Sequence, residues 1–202
     1  MKIIELSKLL SDEIAKQAVR GFVRKIAPFY EATDVHIAPA NLAIEEIVPL
    51  ARFAVRKRLL RQRRAIEMLK AAAIDRFDPC IVSDDSGALT LVLPPIVERT
   101  RHTHLIDGTH RLLAAREMGY NRLRVLQVVA RSLPPLPCDP VTLDSVQVVD
   151  HQKALEEILV PYRKEYFREA TTYLNSVAFK FNSVDTLEEA CLLMSQRESS
   201  RY

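Results

Sequence analysis

The chain has 202 residues, of which 48% are hydrophobic and 27% charged, and its formal net charge is +3. This is the make-up of a folded globule, one ordinary domain with an appendage or two small ones, and not of a disordered or fibrous chain. Cys80, Cys138 and Cys191 lie far apart, which argues against a disulfide framework and offers no metal-ligand spacing. No apolar run approaches the roughly 20 residues of a membrane helix, and the first residues lack the apolar core of a signal peptide, so the expected compartment is the cytoplasm.

In chain order, Ile3, Leu6, Leu9, Leu10, Ile14, Ala18, Phe22 and Ile26 recur at helical spacing. They predict an N-terminal helical extension over 1–33, with Ser11-Asp12-Glu13 able to start a second helix inside it. Asp34-Val35-His36-Ile37-Ala38 alternates as a strand that Pro39 would end. A short segment over 42–50 carries Glu45 and Glu46 and breaks at Pro49, and a long helical pattern follows from Leu50 to Ile74. After a turn at 75–79, Cys80–Ser83 and Ala88–Leu93 read as a hairpin about Asp84–Gly87. Residues 96–103 are polar enough to predict a loop. A strand at His104–Ile106, a helix over 109–118 closed by Gly119, and a strand over 123–130 complete the central region.

Four prolines between Ser132 and Pro140 predict an extended linker. Beyond it, 141–149 reads as one strand, 154–173 as helix interrupted at Pro161, and 187–195 as a last helix. The expected organisation is therefore a helical extension (1–33), a central domain (34–131), a linker (132–140) and a mostly helical C-terminal region (141–202). That last region suits a cover for the sheet, a wall for a substrate or a homodimer contact.

The segment with most chemistry is Asp107-Gly108-Thr109-His110-Arg111, which joins a strand end to a helix. Gly108 lets backbone approach a ligand closely. The N–H groups opening the helix, with its dipole, favour an anion. His110, Arg111 and the Thr109 hydroxyl add donors that suit phosphate. A carboxylate beside phosphates is repelled unless a cation bridges them, so Asp107 suggests Mg²⁺.

This turn, the Ala-rich helix after it, Gly119-Tyr120 and the strand Leu123–Val129 resemble the signature of the ParB/sulfiredoxin superfamily. Within it, the form Ile-Asp-Gly-x-His-Arg is most similar to the ParB-like free serine kinases. Sulfiredoxins carry Cys where this chain has Thr109, and chromosome-partitioning ParB proteins carry Glu-Arg-Arg after the glycine. The resemblance implies an α+β fold with a small mixed sheet and helices. It also implies a phosphotransferase moving a phosphoryl group from ATP or ADP to a small hydroxylated substrate such as free serine. Gly108, Thr109, His110 and Arg111 would then hold the phosphates, and Asp107 would orient metal and substrate. Glu46, in the segment that resembles the one carrying the kinases' catalytic acid, would take the proton from the acceptor hydroxyl.

A second feature supports an alternative. Arg52, Arg56, Lys57, Arg58, Arg61, Arg63 and Arg64 put seven positive charges into thirteen residues with no acid, leaving the remainder of the chain net acidic. On a helix this run is basic and amphipathic, suited to nucleic-acid phosphates, to one or two contacts on a nucleotide, or to acids elsewhere in the chain. In that reading the protein is a ParB-like DNA-binding regulator or partition-type factor. A nucleotide such as CTP would act as the switch, and Arg56, Lys57, Arg61, Arg63 and Arg64 would lie on DNA. His102 and His104 flank Thr103 on one strand face but lack an identifiable third metal ligand. A nuclease ranks below both readings, because no second metal carboxylate accompanies Asp107.

Overall fold

A computed structural model describes residues 4–26, 35–71, 73–74, 77–84, 89–99, 101–130, 136, 138–151 and 157. The expected helices at 154–173 and 187–195, and most of the linker, lie outside the described residues.

Strand β1 (Ile4–Leu9) opens the chain and helix α1 (Asp12–Ile26) follows. The helix starts where Ser11 stands: the Ser11 Oγ accepts from Ile14 N–H at 3.4 Å, and Asp12 and Glu13 sit in the first turn. Ala15, Ala18, Val19 and Val23 form its buried stripe. The helix expected across residues 3–26 is thus correct only from Asp12 onward. Ile4 and Leu6 also satisfy a period of two, and the open edge of β5 (Cys80–Asp84), which pairs antiparallel with β1, decides for strand.

The main sheet has the order β2-β9-β7-β8-β3, built from β2 (Val35–Ala43), β3 (Ile47–Pro49), β7 (Ile96–Arg99), β8 (Thr103–Asp107) and β9 (Arg122–Ala130). It is mixed: β2/β9 and β7/β8 are antiparallel, β7/β9 and β3/β8 parallel. A smaller antiparallel sheet holds β1, β5 and β6 (Leu89–Val92). β4 (Phe53–Val55) pairs in parallel with β10 (Gln147–Val149). The fold is therefore α+β, as expected.

The sheet separates two cores. Ile96, Leu126 and Val128 face α1 together with Ile37 and Ile81. Val97, Leu105, Leu123 and Val125 face α2 (Arg56–Ala71) and α3 (Thr109–Glu117). Strand alternation thus places neighbouring residues of β7 and β9 on opposite sides. Arg124 joins elements across the surface, bonding Asp12 at 2.5 Å in the first turn of α1 and also Asp78 ahead of β5.

Four further expectations change. Pro39 does not end a strand: β2 is an edge strand, and opposite Pro39 the Leu126 N–H turns inward to the Pro95 carbonyl at 2.9 Å, so no ladder donor is missing. Residues 96–99 form the central strand β7, not a loop, and Glu98 on it is 0% exposed. The helix expected from Leu50 starts at Arg56, because Phe53–Val55 pairs with β10. Residues 141–149 are a 3-10 turn (Leu143–Ser145) and then β10, with Val141 N–H donating to the Pro49 carbonyl at 3.0 Å.

A candidate phosphate-binding turn

Asp107 is the last residue of β8, Gly108 caps α3, and Thr109 starts it. Gly108 has φ +110°, and an added Cβ would stand 2.8 Å from the Pro95 Cβ. The residue must therefore be glycine for two reasons, its backbone conformation and its packing on the segment before β7. The helix has no side-chain cap at its N-terminus. The N–H groups of its first turn thus point outward with the positive end of the dipole.

The side chains of the turn knit it to its neighbours. Arg111 donates through Nη2 to Asp107 and through Nη1 to the Leu93 carbonyl. This ion pair is well sheltered, with side-chain exposures of 15% for Arg111 and 18% for Asp107. A guanidinium has five N–H donors, so these two contacts leave others for an anion.

His110 accepts the Val55 N–H at its Nε2, at 2.9 Å. A neutral ring that accepts at Nε2 carries its proton on Nδ1, which leaves an N–H donor on the other side of the ring. Burial first, then the positive charge of Arg58, lower the pKa of His110 and keep the ring neutral. Val55 immediately precedes α2, so this bond brings the N-termini of α2 and α3 together, with Arg58 in the first turn of α2 beside them.

The lowered His110 pKa has a stability consequence. Between its folded value and the ordinary 6.5, the unfolded chain binds a proton that the native ring refuses. Stability should therefore rise with pH through that window and fall as pH drops below about 6.5. Urea midpoints at pH 7.5 and 5.5 are expected to differ more for the native chain than for His110→Gln.

Glu46 stands elsewhere. It closes the 3-10 turn Ile44–Glu46, and its carboxylate accepts the Ala43 N–H at 3.1 Å. In the parallel β3/β8 pair, Ile47 is level with Thr103, at the opposite end of β8 from Asp107. Four residues of strand, about 13 Å, lie between those levels. The structure brings Asp107, Gly108, Thr109, His110 and Arg111 together and does not bring Glu46 to them. Glu46→Ala is expected to cost no more than about 1 kcal/mol, the usual value of a lost cap, and to change nucleotide affinity less than twofold by calorimetric titration.

The basic run divides. Arg56 pairs with Asp150 at 2.7 Å and Arg63 with Glu117 at 3.5 Å. Lys57, Arg61 and Arg64 follow at i, i+4 and i+7 along an exposed face of α2. His102 and His104 do share a face, with ring centroids 6.0 Å apart. Among the described residues no group of three His, Cys, Asp or Glu side chains is placed to hold a metal. Cys80 is a buried thiol whose pKa burial pushes up to about 11, which suits a core residue and not a nucleophile. Sequence reasoning did not single out the Val55 N–H, Arg58 as distinct within the basic run, or the Pro95 packing that fixes Gly108. The only sequence signals for them are the Pro94-Pro95 pair and the start of the basic run.

No protein-family model matches the chain, and no curated protein sequence does. Among solved structures, the crystal structure of protein Atu1540 from Agrobacterium tumefaciens aligns with a TM-score of 0.35 and 10% identity. It covers 81% of this chain and 95% of that one. Likeness at that level carries over neither fold nor function. Among the described residues no helix is long and apolar enough to cross a membrane.

Proposed function

We propose that the protein binds the phosphates of a nucleotide at the Asp107–Arg111 turn, as the resemblance to the ParB/sulfiredoxin superfamily suggests. The observation that carries this reading is the meeting of two helix N-termini through the Val55–His110 bond, with Arg58 and Arg111 beside it. Two dipoles, two guanidinium groups and an imidazole N–H converge with Asp107 as the carboxylate of the turn, an arrangement that an anion would stabilise.

Phosphoryl transfer from ATP or ADP to a small hydroxylated acceptor such as free serine fits the same site. Catalysis there would rest on positioning and charge neutralisation. Mg²⁺ fits through Asp107 as the single protein carboxylate, the usual case where substrate phosphates supply the other ligands, and it would neutralise charge on the nucleotide. Asp107 is the acid that stands beside both phosphate and acceptor in this reading, and Glu46 has no part in it.

Titration with ATP, ADP and CTP, each with and without Mg²⁺, tests the proposal. Magnesium-dependent binding of ATP or ADP supports it and opens a screen of hydroxylated acceptors beginning with serine. Binding of CTP alone moves the reading to a nucleotide switch, and binding of none overturns it.

The second reading, a DNA-binding regulator, is favoured by the exposed Lys57, Arg61 and Arg64 stripe, for which no ion pair is found among the described residues. DNA affinity that falls steeply with salt, with a slope reduced by about one per lysine or arginine neutralised, would support it. Absence of DNA binding at low salt would remove it.

A further inference from the structure

The segment 138–150 lies beside 49–56 and is tied to it along its length. The Cys138 thiol donates to the Leu50 carbonyl at 3.5 Å, and the Val141 N–H donates to the Pro49 carbonyl at 3.0 Å. The Gln147 N–H donates to the Arg52 carbonyl at 2.9 Å, and Asp150 pairs with Arg56 at 2.7 Å. Between these ties Val146 is buried in the core shared with α2 and α3.

β10 and β4 are parallel, with Val149 level with Val55, so both strands reach the N-terminus of α2 together. The polar backbone groups of a strand alternate between its two edges. Because Arg52 turns its carbonyl to β10, Ala54 also faces β10 and Val55 turns its N–H to the opposite edge. There it meets the His110 ring at 2.9 Å. β4 thus stands between β10 and His110. It has three residues, and among the described residues β10 is the strand that pairs with it. So short a strand keeps little order without its partner. The bond that gives His110 one tautomer, Nδ1 protonated and Nε2 accepting, therefore depends on a strand on the far side of β4.

We propose that Gln147–Val149 is a positioning element for the phosphate-binding turn. It holds β4 in place, and the Val55 N–H then fixes the His110 ring in the tautomer that offers its Nδ1–H as a donor. The proposal rests on the phosphate reading for what His110 serves, and on the hydrogen bonds alone for how the ring is held.

Two variants of one residue test this on the full chain. Gln147→Pro removes the N–H that Arg52 accepts, and Val146 before it already has the extended backbone a following proline requires, with φ −71° and ψ 114°. Gln147→Ala truncates the exposed side chain and keeps the N–H. The ¹⁵N shifts of the His110 ring, assigned with His110→Gln and read at pH 7.5, report its tautomer. Gln147→Pro is expected to turn the single tautomer into a mixture and to weaken ATP or ADP binding about 3–10-fold, the worth of one ordinary hydrogen bond. Gln147→Ala should match the native chain in both readings. Should Gln147→Pro not fold, Val149→Gly loosens the same strand with every backbone donor kept and is read in the same way. Native ring shifts in the strand variant, even at a lower melting temperature, would overturn the proposal, as would altered ring shifts with native nucleotide affinity. If the native chain binds no nucleotide, the phosphate reading fails and the ring shifts still decide whether β10 positions His110.

Discussion

Replacement of Gly108 by alanine is expected to destabilise the protein by roughly 2–4 kcal/mol. A left-handed backbone costs a non-glycine residue about 1–3 kcal/mol, and overpacking a tight site adds a comparable amount. Both terms apply here, since φ is +110° and the new Cβ would stand 2.8 Å from the Pro95 Cβ and 3.1 Å from its Cα. The Pro95 backbone cannot swing away as a flexible side chain would, because its carbonyl accepts from Leu126 in the middle of the sheet. Gly119→Ala is the matched control. Its φ is +79°, but an added Cβ meets nothing within 4 Å, so only the backbone cost of about 1–2 kcal/mol applies. Urea denaturation of the two variants should separate them by at least about 1 kcal/mol. Equal midpoints would show that the segment before β7 does not hold the turn.

Arg111→Ala should weaken nucleotide binding about 10–100-fold, through loss of its charged hydrogen bonds. It should also lower stability, because Asp107 would keep a sheltered carboxylate without its partner and the Leu93 carbonyl would lose its donor. These effects are separable. Asp107→Ala on top of Arg111→Ala removes the stranded charge, so the double variant should regain part of the stability and none of the binding. Arg111→Lys keeps a positive charge but cannot span Asp107 and Leu93 together, and is expected to fall between native and alanine in both measurements. Nucleotide affinity that stays at the native level in the double variant would place the phosphate site elsewhere, with the Lys57–Arg64 face as the next candidate.

The local elements were legible where a residue's own chemistry decides them. Ser11 with Asp12 and Glu13 marked the start of α1, Gly119 marked the end of α3, and the hairpin of β5 and β6 was evident on either side of its turn residues. Errors arose where a partner strand outvoted the local pattern. Ile4–Leu9 has apolar spacing that suits helix or strand, and β5 settles it. Phe53–Val55 looked like the front of a helix until β10, about a hundred residues later, is seen to pair with it. Ile96–Arg99 looked too polar for a centre strand, being read with the polar residues that run on to Thr103. In the fold Glu98 is buried opposite His104, and that partnership has no signature in a local window.

The sequence by itself determined the α+β make-up and the character of the turn. A strand end, a glycine that alone tolerates φ +110°, and donors opening a helix are consequences of consecutive residues, and consecutive residues are always neighbours. Only the tertiary structure decided which distant groups join that turn and which do not. Glu46 and Asp107 are separated because the register of β3 on β8 sets them at opposite strand ends. Arg58 and His110 are brought together because α2 starts where the Val55 N–H reaches the imidazole. Register and helix packing are set by the burial of whole faces, Val97, Leu105 and Leu123 against α2 and α3 on one side and Ile96 and Leu126 against α1 on the other. A face is a sum over many residues far apart in the chain, so no single stretch of sequence carries it.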